Sequence, residues 1–246
     1  MRLNSAIFKK CNGVVVMTYA ICGCMLYACD YHSAQAESPP AHNTTMPNDS
    51  AAQGEQTLKD AIKKNDLAAV KAIVGSTTKK EINDAMQGAA YYGNIPAMKI
   101  LLKHGADVNY MAGMYSTLTF AVRLDKVDAV KFLIQHGAKV EPPPKTLALS
   151  PLEVACQDGA LASAKILLEA GADPNKIPYG DSLLPIDYAA NYGYSDIVKE
   201  LLKHGANANF IDKASGMTPI GFAITGEHWD TVQVLVEGGA DPNIPD

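Results

Sequence analysis

The side chains that could do chemistry are few and regularly spaced. His104, His136 and His204 recur at one position, each directly before a Gly-Ala pair. A histidine there stands at a helix end, whose partial negative charge favours it. A shared metal would need ligands from one edge of successive units, so a structural role is expected. Ser150, Glu153 and Asp158 have no histidine nearby to complete a nucleophile–base pair. No G-x-S-x-G, Gly-rich phosphate loop or H-E-x-x-H occurs. Four of the five cysteines, Cys11, Cys22, Cys24 and Cys29, crowd the N-terminus, and the fifth, Cys156, lies alone in an alanine-rich stretch. That spacing makes neither a zinc site nor a disulfide framework, and Cys156 reads as a small buried thiol. The residues therefore predict no enzyme, no cofactor and no metal. A formal net charge of −5, a pI near 5.7 and the lack of a basic patch argue against nucleic acid as a partner.

A repeated helical unit must position these residues. Its best-formed copy is Pro185–Asn209, PIDYAANYGYSDIVKELLKHGANAN. Pro185 suits a first helical turn. Ile186, Ala189 and Ala190 give a short helix an apolar face, and Gly193 can stop it at positive φ. Ser195 or Asp196 then offers a cap for a second helix. Along that helix Ile197, Val198, Leu201 and Leu202 form the buried stripe, and Gly205 ends it. Two such helices cannot bury their apolar face alone, so neighbours of the same shape must cover it.

The Gly-Ala pair returns at Gly105, Gly137, Gly171, Gly205 and Gly239, at intervals of 32, 34, 34 and 34 residues. Its flanks return too: LLKHGADVN, LIQHGAKVE, LLEAGADPN, LLKHGANAN and LVEGGADPN. Each is preceded by a short helix, beginning at Met86, Leu118, Leu152, Ile186 and Ile220. Over about 190 residues this resembles the ankyrin repeat family, with its period of about 33 residues. The resemblance implies an all-α solenoid of about five full units, with β-turn fingers, spanning residues 56–246. A degenerate unit at Leu58–Val74 forms an N-terminal cap, with Lys59, Lys63 and Lys64 on its solvated side. Two departures stand out. The family's histidine, which ties neighbouring repeats together, is replaced by Gln87, Thr119, Glu153, Asp187 and Gly221. The first-helix glycine kept at Gly93, Gly159 and Gly193 becomes Asp125 and Glu227, and glutamate suits left-handed backbone poorly.

Residues 1–28 read as an export signal. Arg2, Lys9 and Lys10 precede nineteen uncharged residues, Cys11 to Cys29. Leu26-Tyr27-Ala28-Cys29 resembles a bacterial lipobox, which would make Cys29 the lipidated first residue. The alternatives are Ile21-Cys22-Gly23-Cys24, cleavage after Ala36 in Ala34-Gln35-Ala36, or an uncleaved membrane anchor. The lipoprotein reading is favoured because residues 29–55 then make a polar tether, rich in Ser, Ala, Pro and Asn. At about 5–6 Å × √n, that tether holds the repeats roughly 30 Å from the anchor. The expected location is the periplasm, either membrane-bound or soluble.

The resemblance also implies a binding surface: a concave face built from the short helices and the turn tips. The two positions after each Ala-Ala pair point into it, and here they include Tyr91 and Tyr92, Arg123 and Leu124, Asp158, and Tyr192. With Tyr115 from a turn, these are the expected partner-binding residues, since exposed aromatics and arginine favour interfaces. The turns add Tyr110, Met111, Met114, Leu147, Leu149, Ile177, Pro178, Tyr179, Phe210, Ile211 and Met217. Trp229, at the start of the last long helix, is expected to pack. The function expected is stoichiometric protein binding by a chain that is monomeric when free. Its most specific form is an immunity protein against a periplasm-acting toxin; the alternatives are a scaffold or chaperone for an endogenous enzyme, and a secreted effector acting on host proteins.

Overall fold

The computed structural model describes residues 57–177 and 183–244. Residues 1–56, where an export signal and a tether with Cys29 are expected, and the turn residues Pro178 and Tyr179 lie outside the described residues. Six helix pairs follow one another: α1 (Leu58–Lys63) with α2 (Leu67–Ile73), α3 (Lys79–Tyr92) with α4 (Ile95–Lys103), and α5 (Thr117–Arg123) with α6 (Val127–Gln135). Then come α7 (Pro151–Asp158) with α8 (Leu161–Glu169), α9 (Pro185–Asn191) with α10 (Ser195–Lys203), and α11 (Pro219–Thr225) with α12 (Trp229–Glu237). First helices pack on first helices down the row, and second helices on second helices. This is the all-α solenoid. Its sheet, among the described residues, is a single hairpin of β1 (Met111–Ala112) and β2 (Tyr115–Ser116), with Met111 opposite Ser116.

The core follows from the pattern. In the first helices Ala89, Ala90, Ala121, Ala155, Ala189 and Ala190 are fully buried, and small side chains let adjacent helices approach closely. In the second helices Leu101, Leu133, Leu167, Leu201 and Leu235 are fully buried at one position. Each contributes about 1.5–3 kcal/mol by leaving water.

Two local expectations change. Helix α3 begins at Lys79, well before Met86, because Thr78 and Glu81 form a capping box there. Helix α10 is preceded by Tyr194, not capped by Ser195 or Asp196. The Tyr194 ring instead packs on the preceding unit: a Cβ at Gly159 would stand 2.8 Å from its Cζ. Neighbouring units are tied by an asparagine ladder in the fingers. Asn109 donates to the Gly137 carbonyl (3.0 Å) and accepts from the Lys139 amide (2.9 Å). Asn175 repeats this with Gly205 and Asn207 (2.8 and 2.7 Å), and Asn209 with Gly239 and Asp241 (3.1 and 2.7 Å). Where the ladder residue is Glu141, its carboxylate accepts from the Asp173 amide (3.0 Å) and pairs with Lys176 (2.8 Å).

Asp187 and Glu153, at two of the former histidine positions, turn back on their own helix ends. They accept from the Leu184 amide (2.7 Å) and the Ser150 amide (3.3 Å). Asn175→Ala should therefore cost about 1–2 kcal/mol, two inter-unit hydrogen bonds being lost at an exposed site. Hydrogen exchange provides the check, since the Asn207 amide should exchange faster; an unchanged rate would show the ladder to be ornamental.

Candidate binding face

The helical turn sets the groove residues. After two buried residues, the next two positions rotate by about 100° each and are at least partly exposed. Tyr91 is half-buried and Tyr92 is 46% exposed at the end of α3. Arg123 is half-buried and Leu124 is 43% exposed at the end of α5. Asp158 is exposed at the end of α7, and Tyr192 half-buried after α9.

The structure connects three of these, Arg123, Asp158 and Tyr192, with Tyr115 of the hairpin. The Arg123 guanidinium lies 5.4 Å from the centre of the Tyr115 ring, and its Nε is 3.7 Å from an Asp158 carboxylate oxygen. Tyr115 is held from behind by Phe120, ring centres 5.7 Å apart. Burial, then the charge of Asp158, pushes the Tyr192 hydroxyl above its ordinary range. Tyr192 in turn lies 6.0 Å from Tyr194, ring centre to ring centre. A row of rings and charges thus runs from the hairpin across α5 and α7 to α9. Tyr91 and Tyr92 form a separate edge-to-face pair at 5.3 Å on α3.

The magnitudes indicate what this row does. A half-exposed Arg–Asp pair is worth at most about 1 kcal/mol, and an exposed cation–π contact about 0.5–1 kcal/mol. Neither holds the fold together. They fix side chains that would otherwise move. Arg123 and Asp158 therefore act as a couple and not as two independent contacts.

Phe120 and Tyr194 belong to this row and were not among the expected site residues. Tyr194 could have been found from its place directly after the positive-φ residue that ends a first helix, Gly193 here, the place that His228 takes after Glu227. The finger residues divide. Tyr110, Leu149, Phe210 and Met217 are half-buried, whereas Met114, Leu147, Ile177 and Ile211 are 39–63% exposed, one from each of four successive fingers. The Leu149 amide donates to the Met114 carbonyl (3.0 Å), joining two fingers over a hollow lined by Met111, Met114, Pro143 and Leu147. Trp229 does not pack as expected; it is 61% exposed at the first position of α12. In earlier units smaller residues occupy that place beside a following helix pair.

The potential chemical groups have structural partners. His104, His136 and His204 each place Nδ1 2.7–3.0 Å from the carbonyl four residues earlier. A carbonyl only accepts, so Nδ1 carries the proton and ties down the last turn. Cys156 is fully buried, and burial, followed by the nearby charge of Glu153, pushes its thiol far above the ordinary range. In the folded chain Cys156 should resist alkylation, reacting only at the rate of unfolding. Mass spectrometry of maleimide-treated protein tests this, and rapid labelling without denaturant would refute it.

A family model described as ankyrin repeats (3 copies) matches residues 58–144, 89–178 and 152–246. Among curated proteins, the human "Ankyrin repeat and MYND domain-containing protein 1" is 38% identical over 60 residues. That match covers 24% of this chain and 6% of the human protein.

Proposed function

The chain belongs to the ankyrin repeat family, and on that premise we propose that its groove face holds an exported toxin in a stoichiometric, non-catalytic complex. The family is one of protein–protein interaction modules, and a protein partner is the coarser part of this reading. The finer part is that the chain is an immunity protein, exported through residues 1–28 and anchored at Cys29. It would meet antibacterial toxins where they arrive, outside the cytoplasm. The observation that carries the reading is the pre-set row Tyr115–Arg123–Asp158–Tyr192. A half-buried arginine held over a ring beside further tyrosines is the chemistry of an interface anchor.

The test is a competition between strains. Cells lacking the chain should die beside a toxin-delivering neighbour and survive when it is restored. Restoration with Tyr92→Ala and Tyr192→Ala together should fail, although the protein accumulates normally. Equal survival with and without the chain would end the immunity reading. Palmitate labelling that persists in Cys29→Ser would end the anchor.

A further inference from the structure

A second surface, separate from the groove, lies on the side of α11 and α12 that faces away from α9 and α10. Ile224 is 46% exposed there, although its counterparts Ala90, Val122, Cys156 and Ala190 are all fully buried. Val232 is half-buried, whereas Met98, Val130, Ala164 and Val198 at the same position are fully buried. Val236 is 47% exposed. Its counterpart Leu202 points into the next unit, since a Cβ at Gly238 would stand 2.5 Å from the Leu202 Cδ1. Trp229, Val232 and Val236 are spaced i, i+3 and i+7, which makes them one stripe of α12. This stripe is what a following helix pair covers in every earlier unit, and it is open among the described residues.

The surroundings of the stripe select its occupant. From Ala214 to Asp246 the chain has no Lys or Arg, and it carries Glu227, Asp230, Glu237, Asp241 and Asp246. Glu227, Asp230, Glu237 and Asp241 are exposed. An apolar stripe beside acidic side chains fits an apolar helix face flanked by Lys or Arg. A second copy docking through the same face would bring the same acidic groups and be repelled. A second copy docking through its N-terminal cap would bring lysines, but residues 57–91 expose no large apolar side chain to cover the stripe. The acidic, lysine-free segment 30–55 is also the wrong sign. The geometry points to a second docking site on α11 and α12 for a basic amphipathic helix of another protein.

Trp229 is the sole tryptophan of the chain, so its emission reports on this face alone. The probe is a helical peptide of leucine and lysine, with leucines along one stripe, titrated into the full chain at low salt. The control has glutamate for lysine. The expected result is a saturable blue shift with the lysine peptide, at least about tenfold tighter than with the glutamate peptide and weakened by salt. Ile224→Glu should abolish the shift with an unchanged melting temperature; if it lowers that temperature, Val236→Gln is the second variant. The Tyr92 and Tyr192 variants should leave the shift intact, so this site and the groove fail or stand separately. No shift, equal binding of both peptides, or a shift retained in both stripe variants would overturn the site. So would a concentration-dependent shift of the chain alone with a dimer in sedimentation, which would give the face to a second copy.

Discussion

Gly193→Ala should destabilise the repeat domain by about 3 kcal/mol. Two costs combine. Gly193 has φ of 74°, where an L side chain costs about 1–2 kcal/mol. An added Cβ would also stand 2.5 Å from the His228 Nδ1 and 2.6 Å from its Cγ, and such overpacking costs about 1–3 kcal/mol. The His228 ring is not free to step aside, because its Nε2 lies 3.0 Å from the Asn191 carbonyl of the preceding unit. For a domain of this size the melting temperature should fall by about 10 °C. Adding His228→Ala to Gly193→Ala removes the clash and leaves the backbone cost, so the double variant should recover about 1–2 kcal/mol relative to the sum of the singles. Denaturant unfolding of the four proteins measures this cycle. A cost below about 1 kcal/mol, or additive singles, would mean that the loop yields and that the glycine serves some other purpose.

Replacing Tyr91, Tyr92 and Tyr192 together by alanine should weaken partner binding at least about 100-fold. Buried tyrosine anchors each cost about 1–2 kcal/mol or more on truncation, and three that share one face exceed the threshold for that loss. The fold should barely register the change. Tyr92 is 46% exposed, and the edge-to-face pair with Tyr91 is worth about 0.5–1.5 kcal/mol. Calorimetric titration beside a thermal melt separates the two effects. A melting temperature that collapses while affinity holds would make these rings packing residues, and the groove would lose its role. Arg123→Ala is the informative companion, since it removes the guanidinium from both the Tyr115 ring and the Asp158 carboxylate. Its effect should exceed that of Leu124→Ala, which is 43% exposed and adds only apolar area.

The two departures from the repeat pattern show how units adjust to one another. Gly159 and Gly193 are each overlaid by a ring from the next unit, Tyr194 and His228. Asp125 stands where a glycine is lost, with φ of 47°. There the next unit supplies Ala160, small enough to leave room. The Asp125 carboxylate then reaches on to Ser163, accepting from its amide (2.8 Å) and its hydroxyl (2.5 Å). The strain of a left-handed aspartate is thus offset by a clamp on the first turn of α8. Glu227, at φ of 59°, adopts the same backbone in the last pair, where no later described unit overlies it.

The sequence by itself determined the unit and its number, because those signals are local. A glycine with positive φ, a proline in a first turn and an i, i+4 apolar stripe act within one turn of helix, so they can be read from neighbouring letters. Gly105, Gly137, Gly171, Gly205 and Gly239 all take the left-handed backbone that their spacing implied. The candidate groove positions were legible only through the repeat register, which says which way a side chain faces but not what it meets. The tertiary structure alone decided the couplings across about one period: Asn175 to Asn207, Asp125 to Ser163, Arg123 to Asp158, and the ring of His228 on Gly193. It also exposed Trp229, whose letter suggested burial. Each of these depends on the residue some thirty positions away, and a repeat pattern preserves the place of that neighbour while leaving its identity free.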